Sequence, residues 1–352
     1  MHGISRDDGF TLTELLVSTT ITLLVLGGAM TTVRNALSIN DTGTQLADAN
    51  QNLRAGTNLL IRDLMQVGRM IPTGVPIPSG AGATVLSRPS PPGQAYAFDN
   101  TNATMLPAIV TGFNLGPTVD NSPTDIVTML TVDPFDCASI LGSDIAAGGT
   151  SVTLGAASPW MTGSGPTAPC DNATATKVGD LVWFNYGNGA IGTVTSTDST
   201  AIYFAPNDWF GFNQAGAAQG TLTLFKASTP SSASMKIYRL YMLTYYVDAT
   251  TTPGTPRLTR MQNHFGAQAL AGVVEDLDIT YDLVDGSVNP VNIGSLPYTL
   301  NNLTYTSNQI RKVNLHIGVR SDLLSRLRND YIRNHLWTSV SVRDLASVSR
   351  YF

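Results

Sequence analysis

The sequence predicts an α+β protein. One long N-terminal helix packs on an antiparallel β-sheet head, and the head carries a large, loop-rich β insertion. Three observations predict this. The first proline of the 352-residue chain is Pro72, and nothing from Phe10 to about Gly68 forbids one continuous helix of roughly 90 Å. Toward the other end, three segments alternate apolar and polar residues with the period of a half-buried strand. Between helix and tail lie short apolar runs separated by Pro, Gly, Ser, Thr and Asn, the composition of short strands joined by long loops.

The helix comes first. A polar leader, residues 1–9, ends at Gly9, and an apolar run then extends from Phe10 to Val33. Glu14 is its one ionisable side chain, and the next is Arg34. About 24 residues make roughly 36 Å of helix, enough to cross a hydrocarbon core of about 30 Å. A carboxylate in such a span costs on the order of 2.5–3.5 kcal/mol at the centre and less toward the interface. The run offers Glu14 no partner, so the partner is expected on another molecule.

The stretch Gly9-Phe10-Thr11-Leu12-Thr13-Glu14-Leu15-Leu16-Val17 resembles the processing site of type IV prepilins and of type II secretion pseudopilins, which makes the expected fold pilin-like. The resemblance implies that a membrane peptidase cuts after Gly9 and that the new N-terminus, Phe10, is N-methylated. It also implies that Glu14 engages the N-terminal amine of a neighbouring subunit in a filament. An amine and a carboxylate attract strongly in low dielectric, and either one left unpaired there is costly. A secretory signal peptide would instead pair a basic leader with a small-residue cleavage site after the apolar core. This leader holds one Arg and two Asp, and no such site follows at once.

Residues 34–70 read as an amphipathic continuation of the helix. Leu46, Ala49, Leu53, Leu60, Leu64 and Val67 form a stripe expected to bury against the head. Asp41, Asp48, Arg54, Arg62 and Asp63 supply much of the polar remainder. Gly68 and Pro72 end the helix. The membrane half is rich in hydroxyls (Thr13, Ser18, Thr19, Thr20, Thr22), which can return a hydrogen bond to the preceding turn. It has no proline, so Gly27-Gly28 is the expected centre of any local melting in a filament.

From Pro72 to about Pro123 the chain reads as an irregular segment with short strands, too loop-like to assign. Asp125–Val132 is the first clear strand, followed by strands at 151–154, 177–186, 190–195 and 221–225. Gly187-Asn188-Gly189 suggests a hairpin between two of them. Met235–Val247 is apolar at both parities, so both of its faces should be covered, one of them by the helix. Its tyrosines (Tyr238, Tyr241, Tyr245, Tyr246) then belong to the core rather than to a stacking platform. The chain is expected to hairpin back around Thr259.

In the tail, Leu277, Ile279, Tyr281 and Leu283 alternate with Asp276, Asp278, Thr280 and Asp282. Val313, Leu315, Ile317 and Val319 alternate with Lys312, Asn314, His316 and Arg320, and Leu336, Thr338, Val340 and Val342 with Trp337, Ser339, Ser341 and Arg343. These strands should form an antiparallel sheet with one wet face, and an Asp opposite Lys312 or Arg320 would add a few tenths of a kcal/mol. Segments 271–281, 310–321 and 337–343 resemble the larger minor pilins of the PilW-like group, and more distantly the J-type pseudopilin of type II secretion. The chain's bulk also favours a minor subunit.

Composition narrows the function. Charged residues are 13% and the net charge is −5, which provides no general basic field, so no nucleic acid is expected. Cys137 and Cys170 could pair outside the cytoplasm, closing a loop of about 34 residues worth roughly 4 kcal/mol; two unpaired buried cysteines are the alternative. No nucleophile elbow, phosphate loop or His-x-x-x-His pair occurs, so no enzyme and no cofactor is expected. Asp276, Asp278, Asp282 and Asp285 read as a solvated acidic face rather than a calcium site, His316 as a solvated strand residue, and no metal is expected.

The expected organisation is thus a leader (1–9), a transmembrane segment (10–33), its amphipathic continuation (34–70) and an extracytoplasmic β-rich head (71–352). The resemblance implies a minor pilin subunit near the tip of a type IV pilus or in a priming complex. Its partners would be other pilin helices, the prepilin peptidase and methyltransferase, and the inner membrane before assembly. A type II secretion pseudopilin, and a tip adhesin or DNA-uptake pilin, are the competing readings.

Overall fold

Helix α1 runs unbroken from Leu12 to Met65, 54 residues or about 80 Å. The computed structural model describes residues 10–133, 139–140, 145–153, 176–185, 189–198, 200–228, 236–325 and 329–346. Gly9, Cys137, Cys170 and the 187–188 turn centre lie outside them. Along the membrane half, the hydroxyls of Ser18, Thr19, Thr20, Thr22, Thr31 and Thr32 each donate to a carbonyl three or four residues back. Each polar group is thereby satisfied by its own helix. Gln66 caps the helix, and Gly68 turns the chain away in the left-handed region at φ 77°. The Gly68 N–H then donates to Leu130 O, pinning the helix end to the sheet.

The head is organised on a ten-stranded sheet. In chain order its strands are β1 (Ile109–Gly112), β2 (Ile126–Val132), β3 (Ser139–Ile140), β4 (Leu181–Asn185), β5 (Ala190–Thr193), β6 (Lys236–Asp248), β7 (Arg257–Gln262), β8 (Gln268–Leu283), β9 (Ile310–Arg320) and β10 (Arg333–Ser341). All pairings are antiparallel. Strand β6 is the spine. One of its edges pairs with β4 and then β7, the other with β3 and then β2. From β7 the sheet continues through β8 and β9 to β10.

Strand β6 is covered on both faces, as its apolar residues at both parities require. Leu243, Tyr245 and Val247 join the core under α1 with Leu53, Leu60, Leu64, Leu277 and Ile279. Leu240 and Met242 face a second core with Ile71, Leu130, Trp183 and Phe212. The tyrosines are core residues, with Tyr245 and Tyr246 fully buried. The three tail strands pair in sequence, with Leu277, Ile279, Tyr281, Val313, Leu315 and Ile317 inward.

The helical stripe is fully buried from Leu53 onward, where Leu53, Gly56, Thr57, Leu60, Asp63 and Leu64 are buried; Ala49 packs on the core only partly, and Leu46 remains exposed. Gly56 allows a close approach of helix to sheet. A Cβ there would lie 3.0 Å from the Cβ of Ala271 on β8.

Three sequence expectations are corrected here. Asp63 is not part of the polar surface but is buried at the helix–sheet interface. Residues 221–225 form no strand: Leu222–Ser228 is a short helix, α2. The Thr221 hydroxyl accepts from the Leu224 N–H, an N-cap, and Leu222 and Phe225 bury one helical turn apart while Leu224 stays exposed. His316 is not solvated but only 9% exposed. In register Asp282 stands opposite Lys312, whereas Arg320 meets Glu275 rather than an Asp, at 2.8 Å, and Glu275 also pairs with Arg333 at 2.8 Å.

Candidate functional site

The N-terminal site starts from one local motif. Thr11 has extended backbone and caps α1, its hydroxyl accepting from the Glu14 N–H at 3.3 Å. Glu14 Oε2 reaches back to accept from the Thr11 N–H at 3.0 Å and from the Thr11 hydroxyl at 2.9 Å. This capping box satisfies helix-terminal donors that lipid could not. It also fixes the Glu14 carboxylate beside the start of the chain that would remain after a cut at Gly9. Phe10 is 89% exposed. Among the described residues no cationic side chain lies within ion-pair range of Glu14.

From this site to about Ile39 the helix stays exposed among the described residues. Leu12, Leu15, Leu16, Val17, Ile21, Leu23, Leu24, Leu26, Met30, Val33 and Leu37 are all exposed. Helix α1 is the one described helix long and apolar enough to span a membrane, and none of its most apolar window is buried within the chain. An apolar surface of this extent requires lipid or other apolar helices around it.

The docked half is held by a polar clamp as well as by the stripe. The Asp63 carboxylate accepts from the Tyr245 hydroxyl at 2.7 Å and from Arg260 Nε at 2.7 Å. Burial, and secondarily the Asp63 carboxylate, push the Tyr245 phenol well above its usual range. Asp125 makes a second clamp within the head. Its N–H donates to Leu277 O while its carboxylate accepts from the N–H groups of Ile279 and Asn114. One side chain thus ties the start of β2 to the free edge of β8.

On the outer face of the sheet, a cluster forms where the sequence suggested only solvated strand residues. Asp278, His316 and Trp337 are directly opposite one another on β8, β9 and β10. His316 Nδ1 lies 3.0 Å from Asp278 Oδ2 and 3.3 Å from Asp276 Oδ2. Its Nε2 lies 3.1 Å from His335 Nδ1. The Trp337 ring stacks on the imidazole with centroids 3.7 Å apart, which explains its burial. Period-two alternation puts these residues on one face; only the strand register could have shown that they meet.

Residues 4–30 match the family described as the prokaryotic N-terminal methylation motif. The match covers residues 4–9 of the leader and the first turns of α1, and it supports a type IV pilin or pseudopilin precursor. Processing by a prepilin peptidase and assembly with other pilins follow from it in general terms, and a single apolar N-terminal helix fits a membrane-anchored pilin. No curated protein and no solved structure gives a significant match to the chain.

Proposed function

We propose that the chain is a minor pilin of the PilW-like kind. It is held in the inner membrane by residues 10–33 until it is cut after Gly9, methylated at Phe10 and drawn into a type IV pilus. Its role is assembly rather than catalysis. The observation that carries this reading is the division of α1: from Leu53 to Leu64 one face is buried on the head, while Leu12 to Val33, apolar apart from Glu14 and its hydroxyls, is exposed. The bare half packs among other pilin helices. There Glu14 meets the terminal amine of a neighbour, and this pairing sets the axial register because an unpaired buried carboxylate is costly. A head as large as residues 71–352 crowds a filament shaft, which favours the tip or a priming complex.

The test is incorporation. In pilus-forming cells the parent chain is expected in the sheared filament fraction, with tagged copies labelled at filament ends. Glu14→Ala should leave the chain in the membrane fraction, with filament-borne protein reduced at least tenfold. Equal incorporation of Glu14→Ala contradicts the register role. Labelling spread along the shaft contradicts the tip placement. Normal pili with failed protein export on deletion would move the chain to a secretion pseudopilus.

A further inference from the structure

We propose that Asp276, Asp278 and His316 form a binding site for one divalent transition-metal ion, Zn2+ being the type, on the outer face of the head sheet. Asp276 and Asp278 belong to β8 and His316 to β9, so the set exists only once the two strands are paired in register. One ligand atom from each residue lies within 4.8 Å of the other two. A tetrahedral ion with bonds of about 2.0–2.1 Å holds its ligand atoms about 3.3 Å apart. The separations of 3.0 and 3.3 Å from His316 Nδ1 to the two carboxylate oxygens match the edges of such a tetrahedron.

The surroundings are those of a metal site rather than of a surface ion pair. His316 Nε2 faces His335 Nδ1 at 3.1 Å. An imidazole that gives Nδ1 to a metal carries its hydrogen on Nε2, and His335 is placed to accept it, which fixes tautomer and ring angle. The stacked Trp337 ring holds the imidazole plane from one side. Opposite Asp276 stands Gly318, where a Cβ would come within 2.9 Å of the Asp276 Cβ and 3.2 Å of His335 Nδ1. The room for both side chains depends on that glycine. Asp276 Oδ1 is buried with no hydrogen-bond partner among the described residues.

Ligand chemistry selects the ion. Calcium and magnesium take oxygen donors, whereas an imidazole nitrogen with two carboxylates suits Zn2+ and its first-row neighbours. Three protein ligands leave the fourth position open. Asp278, about half exposed, puts that position at the surface, within reach of water or of a donor from another chain. This departs from the sequence expectation of no metal, because the ligands come from strands some 38 positions apart and have no local spacing signature. The proposal does not depend on the filament reading.

The test is calorimetric titration of Zn2+ into the full chain in detergent, stripped with a chelator beforehand. We expect one equivalent to bind, with affinity weakened about 100-fold or more in His316→Gln and in Asp278→Asn. His335→Gln, which removes the ring that accepts from and stacks beside His316 but no ligand atom, should weaken it about 10- to 100-fold. Asp282→Asn, on the same face but outside the set, should bind as the parent does. If the ligand variants fail to fold, the parent still decides the matter: one equivalent of Co2+ should quench indole fluorescence, and Trp337→Phe should abolish that quenching. No saturable binding would overturn the proposal and leave His316 simply hydrogen-bonded between the two acids. Undiminished binding in both ligand variants, or quenching that survives Trp337→Phe, would overturn it too by placing the ion elsewhere.

Discussion

The hydroxyl of Tyr245, in the middle of the spine strand, donates to Asp63 on the N-terminal helix at 2.7 Å, across 182 positions of sequence. Arg260 Nε, from the neighbouring strand, reaches the same carboxylate oxygen at 2.7 Å. The half of the helix that docks is therefore locked to the sheet in both rotation and height. The half that carries Glu14 projects from a rigid base.

Removing the acid should cost more than removing the phenol. Asp63→Ala leaves a largely buried guanidinium without its carboxylate and should destabilise the head by about 3–5 kcal/mol. Tyr245→Phe deletes one hydrogen bond to a charged group, about 1.5–3 kcal/mol. Urea unfolding followed by tryptophan fluorescence measures both. A double mutant no worse than Asp63→Ala alone would confirm that the two groups act as one clamp.

Leucines on the two halves of α1 should behave oppositely. Leu60 is fully buried, so Leu60→Ala should lower head stability by about 2–5 kcal/mol. Leu24 is 72% exposed, so Leu24→Ala should leave urea unfolding within about 0.5 kcal/mol of the parent. A cost for Leu24 comparable to that for Leu60 would contradict the division of the helix.

Asp198 supplies a pH signature in the head. The Tyr203 hydroxyl at 2.6 Å, with the N–H groups of Thr200 and Ala201, holds its carboxyl at about 2, below the ordinary 3.8. Depressed in the folded state, this group contributes fully above its ordinary value, and its contribution is lost as pH falls from there toward 2. Carboxyl-carbon NMR should show Asp198 titrating late. Tyr203→Phe should move its midpoint back toward the ordinary value.

Much of this architecture is legible in residue patterns. The alternation of Leu277 to Leu283 and of Val313 to Val319 reports one buried face each, and the apolar residues of β6 at both parities report burial on both faces. Three readings went astray for a common reason: the deciding partner lies far off or the deciding cap is a single side chain. Asp63 reads as surface because its partners are 182 and 197 positions away. Residues 221–225 alternate like a strand, yet the Thr221 cap starts a helix there. His316 reads as a solvated strand residue yet is buried, because alternation assigns a face and only register puts Asp278 and Trp337 on either side of it. The Glu14 motif was legible at once, since an isolated acid in an apolar run is itself the signal.

The most direct measurement is the intact mass and N-terminal peptide of the chain isolated from its own cells, with and without an active prepilin peptidase. With the enzyme, the chain should begin at Phe10 and carry one additional methyl group; without it, residues 1–9 should be retained. A chain that keeps its leader in peptidase-proficient cells, or starts anywhere other than Phe10, would contradict the account.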